Sequence, residues 1–345
     1  MSGEIGFGIV GLGMGMARAQ HVLATPGARL VAVADLNPER RQRAAERFGC
    51  RTYPDHRALI ADGDVDVVMV MTPSGLHAEI GCEAARAGKH VIVTKPMDVT
   101  LAACDRLIAA CEEAGVRLAV DLEGRYHPKF RWVRAALQAG ELGRPLLIEA
   151  RCKWWRSAEY FRQSGGWRGT WRLDGGGVLA NQAVHLLDLL IWTAGMPERV
   201  LAHVARTHHA IETEDVGLAI LRFPQGAVGL INATSAHVAN DEYGLEISGS
   251  AGSVSATRGR YDGPVEELVW RFGDGRPAPR TPVPQGPPHT VADVVAALQE
   301  GRPPAVDGHE GRKAVQLLAA IYASHRTGGW VEVASVTETR HPQLA

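Results

Sequence analysis

Residues 5–17 read Ile5-Gly6-Phe7-Gly8-Ile9-Val10-Gly11-Leu12-Gly13-Met14-Gly15-Met16-Ala17. A short apolar run leads straight into a glycine turn, and a helix-like stretch follows to about Leu23. A second apolar run, Leu30 to Ala34, ends in Asp35. Strand, glycine turn, helix, strand and acid in this order form a dinucleotide-binding βαβ unit. Gly11 permits the tight turn, and Gly13 lets a pyrophosphate approach the backbone. The helix behind them, entered through Met14, Gly15 and Met16, offers N–H groups and the positive end of its dipole. Met16 occupies the third glycine slot, with Gly15 just before it. Asp35 is expected to bind the adenosine ribose hydroxyls and to repel a 2′-phosphate, and Leu36 follows it rather than Arg or Ser. Both features favour NAD over NADP. Arg40 and Arg41 lie within about a turn and a half of Asp35, near enough to swing toward a phosphate.

Outward from this unit the alternation continues. Strands are expected at Val65–Met71, 89–93 and Arg117–Val120, and helices at Leu76–Ala87 and about 100–114. Strands alternating with helices give an α/β fold with a doubly wound parallel sheet, whose ligands sit at the strand C-terminal ends. Thr72-Pro73-Ser74 and Thr94-Lys95-Pro96 both follow such ends, so they are expected at the same edge as the glycines and in contact with the cofactor. His77, at a helix start, reads as a capping or packing residue. Lys95, at the end of a buried strand, is the candidate proton-transfer group, since partial burial and a nearby oxidised nicotinamide both lower an ammonium pKa. A cis bond before Pro96 would aim Lys95 inward.

A second stretch, Asp174-Gly175-Gly176-Gly177-Val178 to Trp192, places three glycines before an apolar helical run. Asn181, His185, Asp188 and Trp192 fall at i, i+4, i+7 and i+11, on one face of one expected helix. Polar groups on a buried helix face partners, water or a ligand. Asp188, three residues after His185, reads either as an orienting partner for the ring or as a structural residue.

Taken together, Gly11-Leu12-Gly13, Thr72-Pro73, Gly88-Lys89-His90-Val91, Lys95-Pro96 and Gly175–Gly177 through His185 resemble the Gfo/Idh/MocA oxidoreductases over nearly the whole chain. The resemblance implies a Rossmann domain over 1–122 and a substrate-binding, oligomerising α+β domain over 123–345, built on a large, open, mostly antiparallel sheet. It implies that Lys95 is the catalytic lysine of a Glu-Lys-Pro motif. Thr94 stands here in place of the Glu, so that residue's cofactor contact is not carried over. A second-domain helix in the family carries Asp and, four residues on, His. His185 matches the His and Asn181 takes the Asp place, so Asn181 is expected to hydrogen-bond a substrate hydroxyl rather than exchange a proton. Strands are expected at Leu146–Arg156, Val200–Arg206, Val216–Phe223, Ala227–Thr234 and Tyr243–Gly249. Helices are expected to about Ala139 after Pro128, and at 290–300 and 309–326, the last two helping to join the domains. Residues 262–289, rich in Pro and Gly, read as a surface excursion.

Trp154, Trp155, Trp167, Trp171 and Trp192 crowd into one segment with Arg156, Tyr160, Arg162, Arg168 and Arg172, and Arg125 follows the last strand of the first domain. Aromatic faces pack the C–H faces of a sugar ring while Arg and Asn bind hydroxyls. Arg125, Trp155, Arg156, Trp167, Arg168, Asn181 and His185, with Lys95, are therefore the expected substrate residues. The stretch Trp167-Arg168-Gly169-Thr170-Trp171 before the glycines, with Asn181-Gln182 after them, resembles sugar and glucoside dehydrogenases. The implied reaction is oxidation of a ring hydroxyl, with hydride passing to NAD and the proton to Lys95 and His185. Alternative readings are a redox-assisted glycoside lyase or hydrolase that retains its NAD, and a non-catalytic NAD-binding sensor. His208, His209, Glu212, Glu214 and Asp215 fit no standard metal spacing and read as a solvated loop, and no metal is expected.

Composition limits the remaining classes. The chain has 345 residues, 46% hydrophobic and 22% charged, and Lys+Arg 37 against Asp+Glu 38 leaves a net charge of −1. That is enough for two packed domains, and it argues against a nucleic-acid or membrane partner. No signal peptide is read at the N-terminus. Five scattered cysteines without a C-x-x-C pair point to reduced thiols in a cytoplasmic protein. The expected partners are a small polyhydroxylated substrate and further copies of the chain, as a homo-dimer or homo-tetramer.

Overall fold

The structure, a computed structural model, describes residues 3–238, 241–258 and 267–344. The chain divides into two compact units. The first comprises Met1–Asp98, Ala102–Glu123 and Pro287–Arg312, the second Val99–Leu101, Gly124–Gly286 and Lys313–Ala345.

In the first unit β1 (Ile5–Val10), α1 (Gly15–Leu23), β2 (Ala28–Ala34), α2 (Pro38–Phe48), β3 (Arg51–Tyr53), α3 (His56–Ile60), β4 (Val67–Val70), α4 (His77–Arg86), β5 (His90–Thr94), α5 (Leu101–Glu113) and β6 (Leu118–Asp121) alternate along the chain. The sheet runs β3-β2-β1-β4-β5-β6 and every pairing is parallel. Its central strands are apolar on both faces, as a sheet covered on both sides requires. All of β4 is buried, as are Phe7, Ile9, Val91, Ile92 and Val93. Local signals set the helix ends. Asn37 accepts from the amides of Glu39 and Arg40, with Pro38 in the first turn, and Gly49 closes α2 in the left-handed region.

The second unit holds α6 (Pro128–Gln138), β7 (Pro145–Lys153), α7 (Ala158–Arg162), α8 (Val178–Asn181), α9 (Val184–Ala194), β8 (Arg199–Ala205), β9 (Val216–Arg222), β10 (Val228–Thr234), β11 (Glu242–Gly249), β12 (Gly252–Arg258) and β13 (Glu267–Phe272). Two helices, α10 (Thr290–Glu300) and α11 (Gly308–Thr327), and the short β14 (Val331–Glu332) complete the chain. The second sheet runs β13-β12-β11-β7-β10-β9-β8-β14. Its pairings are antiparallel except for β7 with β10. Its strands alternate: Ile148, Ala150 and Cys152, or Gly217, Ala219 and Leu221, face inward, where Leu179 of α8 packs on Gly217 and Leu186, Leu187, Leu189 and Leu190 of α9 join the same apolar core.

Two expectations need correction. Pro287–Arg312 belongs to the first unit, not the second. Val291, Val294 and Val295 of α10 complete the apolar cluster of Phe7, Ile9 and Ala119, and an amphipathic pattern alone does not say which core it faces. The Pro/Gly-rich stretch 262–289 is also not all excursion. Residues 262–266 lie outside the described residues, but Glu267–Phe272 pairs antiparallel with β12. Cross-strand pairing overrides the weak local signal there.

In the first unit His21 stacks on His289, ring centroids 4.3 Å apart. Burial, with His289 and Arg18 adding to it, pulls His21 down to about 4 from 6.5. His289 is lowered as well, chiefly by burial. Unfolded, His21 takes up its proton near pH 6.5, whereas folded it refuses the proton until about pH 4. Stability from the pair is therefore complete above the upper value and lost as pH falls toward the lower one. The melting temperature is expected to drop across this window, and less steeply in His21→Gln. Parallel curves for parent and variant would place the acid sensitivity elsewhere.

Candidate active site

In the first unit the parallel order puts the C-terminal ends of β1, β4 and β5 side by side. The glycines, Thr72–Ser74 and Thr94–Pro96 consequently share one edge, as a doubly wound sheet demands. Gly11 adopts φ +92°, and a Cβ there would lie 2.6 Å from the Met71 carbonyl oxygen, whereas a Cβ on Gly13 would meet open space. No side chain caps α1 and no acid stands in its first turn, so its N-terminus is available to an anion. Asp35 accepts from the amides of Leu12 (2.7 Å) and Asn37 (2.8 Å), which aims its carboxylate beside the turn. Arg40 approaches Asp35 at 3.7 Å, while Arg41 donates to the carbonyls of Asp35 and Leu36. A glycine cradle, an uncapped helix and a positioned acid fit a dinucleotide.

The buried His77 links two of the loops at this edge. Its Nδ1 lies 3.0 Å from the Pro96 carbonyl and its Nε2 3.0 Å from the Thr72 carbonyl. The packing role expected of it is thus a specific one. Lys95 is half-buried, and its bond to Pro96 is cis.

In the second unit the triple glycine is anchored from below. A Cβ on Gly177 would sit 1.7 Å from the Glu214 carbonyl oxygen. The Glu214 carboxylate accepts from the amides of Gly177 (2.9 Å) and Leu179 (3.0 Å) and from the Tyr322 hydroxyl (3.2 Å). Burial pushes this carboxyl up to about 7 against the pull of those amides. The solvated-loop reading of this cluster holds for the exposed His208 and Glu212 but is corrected for His209, Glu214 and Asp215. Thr213, Glu214 and Asp215 are fully buried, and His209 nearly so. Asp215 caps the turn by accepting from the amides of Thr207, His208 and His209. Charged letters between two strands looked solvated because sequence does not reveal which backbone amides they satisfy.

The expected single helix is broken. α8 ends at Asn181, the amide of Ala183 reaches back five residues to Val178 (2.8 Å), and α9 starts at Val184. A wide turn of this kind inserts about one residue into the helical phase, so Asn181 and His185 do not share a continuous stripe. Asn181 donates to Asp174 (2.7 Å) and accepts from the Tyr160 hydroxyl (3.4 Å). His185 is 8% exposed. Asp188 accepts from Arg125 through both oxygens, at 2.6 to 3.0 Å. This engages the guanidinium of Arg125, one of the expected substrate residues. It is a buried residue, neutralised by Asp188 and stacked over Trp192.

The tryptophans divide in the same way. Trp154 stacks on Tyr243, Trp171 on His341, and Trp192 lies under Arg125 and Arg134, so these three are packing residues. Trp155 is 38% exposed and tilts against His208 and His209. Trp167 is half-buried beneath Arg168. Tyr160, Gln182 and Asp174 join this group through hydrogen bonds. Sequence offered no periodic signal for that network, because its members lie on separate short turns.

Residues 5–122 match the oxidoreductase family with an NAD-binding Rossmann fold, and residues 130–255 match the GFO/IDH/MocA C-terminal domain. An inositol 2-dehydrogenase of Rubrobacter xylanophilus is 30% identical over 73% of this chain and 71% of its own. The chain belongs to the Gfo/Idh/MocA family. Its structure is similar to that of the WlbA dehydrogenase from Bordetella pertussis, solved with NADH and UDP-GlcNAcA. The TM-score is 0.84 at 35% identity, over 95% of this chain and 98% of that one. A levoglucosan dehydrogenase solved with NADH and levoglucosan gives 0.83 at 28% identity over 96% and 99%. As a Gfo/Idh/MocA member the protein is an oxidoreductase of the sugar and polyol dehydrogenase kind, and its cofactor is NAD.

Two contacts that hold the second unit's half of this family architecture are open to test. Asp188→Asn leaves Arg125 buried without its counter-charge and is expected to cost about 3–5 kcal/mol of unfolding free energy. Glu214→Ala strips two amides and a phenol of their acceptor and is expected to cost about 2–4 kcal/mol, with Glu214→Gln costing less. Denaturant titration measures both, and losses below about 1 kcal/mol would mean water replaces the missing groups.

Proposed function

We propose that the protein oxidises a secondary ring hydroxyl of a sugar, glycoside, inositol or related polyol to a ketone, or runs the reverse reduction, with Lys95 and His185 as proton-transfer groups. The observation that carries this reading is the position of Lys95. It directly follows a buried strand, at the sheet edge that bears the glycine cradle, and it is half-buried. When bound, NAD accepts the hydride from the alcohol carbon. The ammonium of Lys95 stabilises negative charge developing on the hydroxyl oxygen. The imidazole of His185 takes the hydroxyl proton, a task suited to a group that ordinarily titrates near neutrality. Trp155, Arg156, Trp167, Arg168 and Asn181 form the carbohydrate-recognising surface. The ligands named for the relatives, inositol and levoglucosan, are ring compounds with several hydroxyls, which supports the substrate class.

Self-association belongs to the same proposal. The outer face of the second sheet exposes Leu147, Leu218, Ile220 and Val228, each 40 to 46% accessible. Val228 is directly opposite Leu147 in the ladder. An apolar stripe of this sort suits a homo-dimer or homo-tetramer, which light scattering in solution decides.

NADH formation against a panel of sugars, glycosides, inositols and sugar acids tests the activity. Lys95→Ala and His185→Ala are each expected to lose at least about a hundredfold in turnover while retaining NAD binding by fluorescence titration. Variants that fail to bind NAD yet turn over normally per bound cofactor would overturn both role assignments.

A further inference from the structure

Arg156 and Arg168 converge on one ring. The Arg156 guanidinium carbon lies 5.0 Å from the centre of Tyr160 and 4.8 Å from that of Trp154. The Arg168 carbon lies 4.4 Å from Tyr160 and 5.2 Å from Trp167. Both arginines are half-buried. Arg168 donates to the Tyr160 carbonyl at 3.2 Å, and among the described residues the buried Arg156 Nε meets no acceptor. Among the described residues neither guanidinium pairs with a carboxylate. By contrast Arg151 pairs with Glu246 and the exposed Arg162 with Glu159. Asp174, the acid of the neighbouring network, is engaged by the amide of Gly169 (2.8 Å) and by Asn181. Tyr160 is no counter-ion either, because burial pushes its phenol up and keeps it protonated.

Aromatic faces compensate a guanidinium only in part, by about 0.5–2 kcal/mol. Two cations held against one aromatic ring, with no acid paired to either among the described residues, are arranged for an incoming anion, for which the arginine fork is the matching donor. The Tyr160 hydroxyl, meanwhile, donates to Asn181 and accepts from Gln182 at 3.1 Å. The cationic pair is thus one side chain removed from the turn that leads into His185.

We infer that the substrate carries an anionic substituent, a carboxylate or a phosphate, bound by Arg156 and Arg168 around Tyr160, so that the enzyme acts on acidic rather than neutral sugars. This inference rests on the reaction proposed above and narrows its substrate.

Calorimetric titration of the NADH-loaded protein with hexuronates, hexose phosphates and the corresponding neutral hexoses provides the test, with NADH formation followed on the same panel. At least one anionic class is expected to bind about tenfold or more tightly than its neutral partner. The hexuronate and hexose phosphate arms decide between carboxylate and phosphate. That preference is expected to fall about tenfold in Arg156→Gln and Arg168→Gln, to recover in part in the Lys variants, and to persist in Arg162→Gln. Melting curves confirm that each variant is folded. Equal affinity for neutral and anionic sugars, no saturable binding of any anionic probe, or an unchanged preference in both Gln variants would overturn the inference. Selective anion binding without NADH formation would leave the anion site standing and remove the proposed oxidation.

Discussion

The main chain at Gly177 passes so close to the Glu214 carbonyl that a Cβ would lie 1.7 Å from its oxygen, and this approach fixes where α8 begins. The buried carboxylate of Glu214 then does what a capping side chain does at an exposed helix. It gathers the amides of Gly177 and Leu179, here from outside the helix's own sequence. α8, the wide turn at Gln182–Ala183 and the start of α9 all follow from that anchor. His185 is therefore held by a glycine and an acid 37 residues apart in sequence, and the acid is itself tied to Tyr322 of α11.

The first unit reaches the same end by pairing rather than by anchoring. Parallel strands all point one way, so neighbouring strands deliver their following loops to one edge. What pairing does not set is the height of each loop above that edge. His77, between the Thr72 and Pro96 carbonyls, supplies that link and ties the loop after β4 to the loop that carries Lys95.

The parts legible in sequence were those governed by local rules. The glycine turn, Asp35, the alternating strands and Lys95-Pro96 each follow from backbone sterics or period, and the family resemblance supplied the second sheet. The strands β12 and β13 were missed, since their order comes from partners rather than from composition. Arg125 reads as a substrate residue and Asp188 as either an orienting or a structural one, and the two pair with each other. A charged residue's partner is a tertiary fact. The same limit hid Glu214, which looked solvated among His208, His209 and Glu212. It also hid that, among the described residues, no acid pairs with Arg156 or Arg168, because a missing partner leaves no trace in a one-dimensional string.

The return of Pro287–Arg312 to the first unit also bears on biosynthesis. The amide of Val120 in β6 donates to Val306, and Val291, Val294 and Val295 share one apolar cluster with Phe7, Ile9 and Ala119 of the sheet. A nascent chain that has released its first 122 residues holds the complete parallel sheet but not the helix that seals one side of it. That surface stays bare while every strand of the second sheet except β14 is translated, at about 5–20 residues per second. The nucleotide-binding half, first to be written, is thus among the last to be finished, and the chain carries a long-lived apolar patch through synthesis of the kind chaperones engage.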